Sequence, residues 1–135
     1  MDLSGGCYCG AVRYEAKGDA IFKGQCYCRE CQYISGGSPN VTMGMPDGSF
    51  GYTKGSAKSF QRTDLEAPVT REFCSDCGTH LLSRVPGMPA VLLKVGTLDD
   101  PGDFGEAQMA IYLCDSQPFH AVPEGIPTFD KGPGS

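Results

Sequence analysis

The sequence predicts an all-β fold: a small sandwich, or a barrel-like variant of one, of short antiparallel strands organised around two metal sites. Three observations carry this expectation. Short β-type runs recur at regular spacing, broken by turn residues. Glycine and proline number 19 and 10 in 135 residues, too many for a helical bundle. Seven of the eight cysteines fall in tight clusters that can gather around metal ions. A chain of 135 residues is the size of one domain and can bury roughly 65–70% of its unfolded surface.

The elements follow in order. Ala11–Glu15 alternates as a strand does, and Ala20–Lys23 leads into a cluster of cysteines. Arg29–Ile34 has room for a single helical turn. Val41–Met45, Phe50–Thr53 and Ser59–Thr63 are short β-type runs separated by Gly and Pro. Val69–Phe73 leads into a second cysteine pair. Leu81–Val85 and Val91–Val95 are apolar strands, the latter a core element that ends at the turn-like Gly96-Thr97-Leu98-Asp99-Asp100-Pro101-Gly102. Ala107–Leu113 is the last strand. No linker divides the chain and no internal repeat is present, so residues 1–127 are read as one domain. Thr128–Ser135, with Gly132, Pro133 and Gly134, is read as a flexible tail.

Charge and hydropathy exclude some functions. The net charge is −5, which argues against nucleic acid or an anionic membrane as the main partner. No apolar run approaches the ~18–20 residues that span a bilayer. Met-Asp-Leu-Ser-Gly-Gly has neither a basic nor an apolar signal region, so a cytoplasmic, reducing location is expected. In that setting persistent disulfides are rare, and clusters this tight make poor disulfide frameworks.

Cys7 and Cys9 form C-x-C, Cys26, Cys28 and Cys31 form C-x-C-x-x-C, Cys74 and Cys77 form C-x-x-C, and Cys114 stands alone. All-thiolate donors suit zinc or an iron–sulfur cluster. The spacings match neither common ferredoxin run, which favours zinc. The seven clustered ligands divide as four plus three. Cys7, Cys9, Cys74 and Cys77 can close a saturated, structural four-thiolate site. Cys26, Cys28 and Cys31 lie within six residues and leave a fourth position open, as catalytic zinc requires. The alternative is that Cys114, His80 or His120 fills that position and makes a second structural site.

Charge then separates thiol chemistry from hydrolysis. Zinc with three thiolates carries a net formal charge of minus one, so it is a weaker Lewis acid than zinc on three histidines. It still holds an incoming thiol as thiolate. The expected chemistry is therefore that of thiols.

Four stretches resemble the motifs of a known family. They are Gly6-Cys7-Tyr8-Cys9-Gly10-Ala11-Val12-Arg13-Tyr14-Glu15, Cys26-Tyr27-Cys28-Arg29-Glu30-Cys31-Gln32 with Ser35-Gly36, Arg71-Glu72-Phe73-Cys74-Ser75-Asp76-Cys77-Gly78-Thr79, and Gly96-Thr97-Leu98-Asp99-Asp100-Pro101. Their order and spacing are similar to those of the glutathione-dependent formaldehyde-activating enzyme family, which includes the centromere protein V domain. The resemblance runs from about Gly5 to Pro127. It implies a tent-like all-β fold around two zinc ions per chain, the structural one on Cys7, Cys9, Cys74 and Cys77 and the catalytic one on Cys26, Cys28 and Cys31. The implied activity is that of a carbon–sulfur lyase joining glutathione and formaldehyde as S-hydroxymethylglutathione. The chain departs from the family at Tyr27, often His, at Gln108-Met109, often His-Ile, and at Pro118-Phe119, where a Trp is common. These changes spare every ligand and bear on the substrate.

Glutathione as partner asks for cations, and Arg13, Arg29, Arg62, Arg71 and Lys94 are the candidates for its two carboxylates. Tyr27 sits between two ligands and either touches substrate or packs. Gln32, Ser35 and Gly36 are candidates for the pocket mouth. His80 and His120 read as structural rather than titrating groups, and Cys114 as a small buried residue. Two other classes remain in view. One is a non-catalytic zinc module that binds glutathione or a protein. The other is a thiol redox enzyme with Cys114 as nucleophile, which leaves the C-x-C-x-x-C unexplained.

Overall fold

The computed structural model describes Met1–Ser135 throughout. In chain order the elements are β1 (Asp2–Gly6), β2 (Arg13–Lys17), β3 (Phe22–Cys26), α1 (Arg29–Ile34), β4 (Asn40–Pro46), β5 (Phe50–Lys54), β6 (Lys58–Phe60), β7 (Thr70–Phe73), β8 (His80–Arg84), β9 (Ala90–Lys94) and β10 (Met109–Ile111). They form a three-stranded sheet, β1-β2-β5, and a seven-stranded sheet, β10-β3-β4-β9-β8-β7-β6. The all-β architecture read from the sequence is the one observed. No helix is long and apolar enough to cross a membrane.

The seven-stranded sheet has two chemically different faces, and β4 shows why. Its sequence Asn-Val-Thr-Met-Gly-Met alternates, and side chains in a strand point to opposite faces with a period of two. Met43 and Met45 join Val91, Leu93 and Leu82 on one face and pack with Leu3, Tyr14 and Ala16 of the smaller sheet. On the other face the register lines up Phe22, Gly44, Leu92, Ser83, Arg71 and Phe60 in one row across six strands. Asn40 and Thr42 share that face with Gly44, so four of the molecule's buried polar residues, Asn40, Thr42, Arg71 and Ser83, meet there. Helix α1 lies over the same face.

The two sheets are clamped by the turn after β9. Tyr14 and Thr97 share a hydrogen bond of 2.8 Å between their hydroxyls. Asp99 accepts from both guanidinium nitrogens of Arg13 and from Ser4 Oγ at 2.7 Å. The fourth family-like motif is thus structural here.

Strand β1 is not among the runs read from the sequence, where Gly5-Gly6 offers no side chains to alternate. The glycine has a packing reason: a Cβ on Gly5 would collide with the Tyr14 hydroxyl and the Thr97 carbonyl oxygen. One strand pair also departs from the antiparallel expectation. β10 runs parallel to β3, pairing Met109 with Gly24 and Ile111 with Cys26. A parallel pair needs a long crossover, and residues 95–108 supply part of one around the end of the sheet. β10 stops early because Tyr112 takes a left-handed conformation (φ 60) and the chain turns into Leu113–Asp115. The segment read as a flexible tail begins with residues that pair with this strand. Phe129 N–H donates to Ala110 (2.9 Å), and the carbonyls of Phe129, Asp130 and Lys131 accept from Leu113, Cys114 and Tyr112.

Candidate metal centres

The sulfurs gather as four and as three. Cys7, Cys9, Cys74 and Cys77 form one group and Cys26, Cys28 and Cys31 another, with all sulfurs of a group within 4.8 Å of one another. The first group joins the loop after β1 to the β7–β8 hairpin. Each half is a tight turn closed by a left-handed glycine, Gly10 (φ 80) after the first pair and Gly78 (φ 76) after the second. Gly10 N–H donates to the Cys7 carbonyl and Gly78 N–H to that of Cys74. Further donors face the sulfurs: Val12 N–H reaches Cys7 Sγ at 3.2 Å and the Thr79 hydroxyl lies 3.1 Å from Cys77 Sγ. The Thr79 side chain, with backbone donors from Thr79 and Cys9, holds the Cys77 thiol down at about 6.

Geometry supplies a test of fit. A tetrahedral ion with Zn–S bonds of about 2.3 Å sets its sulfurs about 3.8 Å apart. Cys7 and Cys9 are 3.6 Å apart and Cys9 and Cys74 are 3.8 Å apart. Four thiolates, two of them buried in the core, fit a closed ion site of this size.

The triplet is built by the end of β3 and the start of α1. Cys26 ends the strand, and Cys28 caps the helix by accepting Cys31 N–H at 3.3 Å. That cap points both sulfurs toward the first helical turn, where Cys31 sits. Asn40 Nδ2 donates to Cys31 Sγ at 3.5 Å, and Asn40 Oδ1 accepts from Lys94 Nζ. Hydrogen bonds from Cys26 and Cys28 hold Cys31 down at about 3, against burial, and Asn40 and the Arg71 charge add to this. The same contacts, that with Cys28 first, push Cys26 upward. Three neighbouring sulfurs thus do not all shed protons unaided; a cation among them would hold all three as thiolates.

The triplet borders a cavity of about 330 Å³ walled by Phe22, Thr42, Arg71, Ser83, Ile111 and Tyr112, with Gly132 and Pro133 at one side. The four-thiolate group does not line it. Arg71 is the one cation in the cavity wall: its guanidinium donates to Ser83 Oγ at 3.0 Å and lies 3.7 Å from Glu30. The other candidate anchors are engaged elsewhere. Arg13 is clamped by Asp99, Arg62 by Asp64, Arg29 donates to Gln32 and lies over Tyr33, and Lys94 is held by Asn40 and Ser35.

The residues expected at the pocket mouth separate. Tyr27 is fully buried and faces away from the cavity. Its hydroxyl sits 2.8 Å from the Ala121 carbonyl and 3.0 Å from Gln25 Oε1, and its ring meets His120 edge-on. Gln32 is buried too and brackets the loop, donating to the carbonyls of Tyr27 (2.8 Å) and Asp115 (2.9 Å). Ser35 touches the site through Lys94 at 2.9 Å, and Gly36 is an exposed left-handed residue after the helix. His120 Nδ1 accepts from Gln117 N–H, which leaves Nε2 as the donor to the Gly37 carbonyl at 2.7 Å. Cys114 is exposed rather than buried, and neither histidine nor Cys114 joins the triplet. Sequence reading missed Asn40, Thr42, Ser83 and Phe22. The alternation in β4 was the available signal for the first two.

This arrangement defines a protein with one closed four-cysteine centre and one three-cysteine centre open to a cavity. The glutathione-dependent formaldehyde-activating enzyme family matches residues 2–115, and the chain belongs to that family. The fold is also similar to the crystal structure of a Rhodobacter sphaeroides protein, with a TM-score of 0.61 at 21% identity, over 77% of this chain and 96% of that one. Both cysteine groups can bind metal ions.

Proposed function

We propose that the chain is a zinc enzyme of the carbon–sulfur lyase type, which adds glutathione or a similar thiol to formaldehyde or a related small electrophile. Family membership supports glutathione-dependent formaldehyde activation. The observation that carries the finer reading is the contrast between the two centres: four sulfurs away from the cavity, three sulfurs on its wall.

Cys7, Cys9, Cys74 and Cys77 would hold a structural zinc, and Cys26, Cys28 and Cys31 the second. Bound at the triplet, zinc would supply thiolate at neutral pH by holding the incoming thiol deprotonated. In the reaction the thiol sulfur bonds to the carbonyl carbon, the C=O π bond breaks, and the thiol proton ends on the new hydroxyl of S-hydroxymethylglutathione. The chain's own residues position the partners. Arg71 faces the cavity and offers a carboxylate of the thiol the donors now turned to Ser83 and Glu30. Asn40 ties Cys31, on the helix, to β4, and Phe22, Leu92 and Ile111 keep water from one side of the cavity. A cavity of about 330 Å³ is of a size that takes a small peptide thiol.

Native mass spectrometry with and without glutathione tests the reading, followed by formaldehyde consumption measured against the uncatalysed reaction. Two metal equivalents, a glutathione adduct and a rate above background are expected. Binding without rate would make the chain a glutathione-binding module. No adduct at all would remove glutathione from its function.

A further inference from the structure

A second and larger cleft, about 590 Å³, lies beyond Arg71 on the polar face of the seven-stranded sheet. Its floor is the β6–β7–β8 end of the sheet. There the register sets Lys58 opposite Phe73 and Phe73 opposite His80, while the next row sets Phe60 opposite Arg71. Cations and rings therefore alternate along neighbouring positions. Phe73 and His80 stack at 5.4 Å with their planes 30° apart. The wall is α1, whose Glu30, Tyr33 and Ile34 fall on one helical face by their i, i+3, i+4 spacing.

The charge and exposure of these residues are uneven in an informative way. Arg62 and Arg71 each face an acid, but Lys58 has no ion-pair partner, so the cleft is positive in a chain of net charge −5. Tyr33 is 79% exposed and Phe60 57% exposed, which leaves two large rings in water on facing sides. His80 carries the one buried side-chain nitrogen or oxygen in the molecule with no hydrogen-bond partner, its Nδ1. An edge strand often carries a lysine to deter sheet pairing, and that would explain Lys58 but not the rings beside it.

We propose that this cleft is a binding site for a flat aromatic carboxylate. Rings of Tyr33, Phe60 and Phe73 give it aromatic surface on floor and wall, and Lys58, which no acid pairs, gives it a cation for one anionic group, with Arg71 beside it. The site stands on its own residues and not on a metal at the triplet. It shares Arg71 and Glu30 with the cysteine cavity, so a ligand here touches the wall of that cavity as well.

The test titrates the 135-residue chain with naphthoate and follows amide chemical shifts and binding heat. Naphthylmethanol, with the same rings and no charge, and cyclohexanecarboxylate, with the charge and no aromatic ring, are the controls. Saturable naphthoate binding below about 1 mM, centred on α1 and β6–β8 and at least about tenfold tighter than either control, is expected. Lys58→Gln and Phe60→Ala each weaken it about five- to tenfold. Both residues are on a three-residue edge strand and largely exposed, and an unchanged melting temperature confirms that the fold is kept. Equal binding of the neutral or the non-aromatic control overturns the proposal, as does no saturation, or shifts confined to other surfaces. The readout needs no turnover, so failure of the glutathione reaction and failure of this site are separate results.

Discussion

Replacing one cysteine in each centre by serine should separate a centre that holds the fold from one that does not. Cys74 is buried in the core cluster, and its sulfur lies 3.8 Å from that of Cys9, 65 residues earlier. Treated as a cross-link, closing a loop of 65 residues is worth about 4 kcal/mol of chain entropy at 25 °C. The triplet spans Cys26 to Cys31, and closing so short a loop is worth at most about 2 kcal/mol by the same relation. Cys28 also caps α1, a position where serine is among the best residues, so Cys28→Ser keeps the helix start. For a domain of 135 residues each kcal/mol moves the melting temperature by about 3–4 °C. Cys74→Ser should therefore melt about 12–16 °C lower and lose one metal equivalent, while Cys28→Ser falls by no more than about 6–8 °C. Calorimetry and metal counting by mass spectrometry read both quantities on the same samples. Equal destabilisation by the two substitutions would refute the division of labour between the centres, and so would an unshifted Cys74→Ser.

Three further outcomes follow from the packing. Phe22 folds its ring over Gly24, where a Cβ would stand 2.8 Å from Cε1, so Gly24→Ala must push the ring out of the cavity wall. A loss of about 1–3 kcal/mol in urea unfolding and weaker thiol binding are expected; unchanged values would mean that the ring has room to yield. Tyr27→Phe removes the hydroxyl held by Ala121 and Gln25, costs about 1–2 kcal/mol, and leaves thiol affinity within about twofold. A tenfold loss of affinity would return Tyr27 to the pocket. Asp99 is held at about 2 by Arg13 and then Ser4. Its folded pKa lies below the unfolded value of about 3.9, so its contribution is present above that pH and fades as pH falls toward about 2. Asp99→Asn should flatten the acid limb of stability over that interval, more visibly at low salt because the pair is partly exposed.

How much of this was legible in the sequence depends on how far apart the partners lie. Each cysteine cluster is local, since one short turn places its own sulfurs; the joining of Cys7 and Cys9 to Cys74 and Cys77 across 65 residues follows instead from ligand count, two pairs making one four-thiolate set, and the structure gathers the sulfurs in the same groups. Short β-type and apolar runs between turn residues also marked most strands to within a few residues. Strand β1 was hidden because the fitness of Gly5 depends on a tyrosine ring from the next strand. Tyr27, between two ligands, was open to contact with substrate or to packing; neighbours in extended chain point to opposite sides, and it is buried where Cys26 and Cys28 face the cavity. Gln32 follows Cys31 on a helix, where one residue is about a hundred degrees of rotation, enough to turn it from the cavity to the loop. Arg71 meets Ser83 and Phe60 only through strand register, and one sequence does not reveal register.

The cavity side of the sheet bears electrostatically on the proposed thiol chemistry. Zinc held by Cys26, Cys28 and Cys31 would carry a net formal charge of minus one, and a thiolate ligand would add one more negative charge. Such charge in a half-buried site is costly unless cations face it. The protein supplies two. Arg71 lies in the cavity wall, and Lys94 reaches Cys31 through Asn40. Burial pulls Lys94 down to about 8, which still leaves it protonated at neutral pH, and the Cys31 charge resists the fall. Glu30 partly offsets Arg71, but at 3.7 Å and on the exposed side of the helix it is a partner that an incoming carboxylate can displace. One buried cation and one half-buried one would thus match the charge of a thiolate-bound site more closely than that of an empty one.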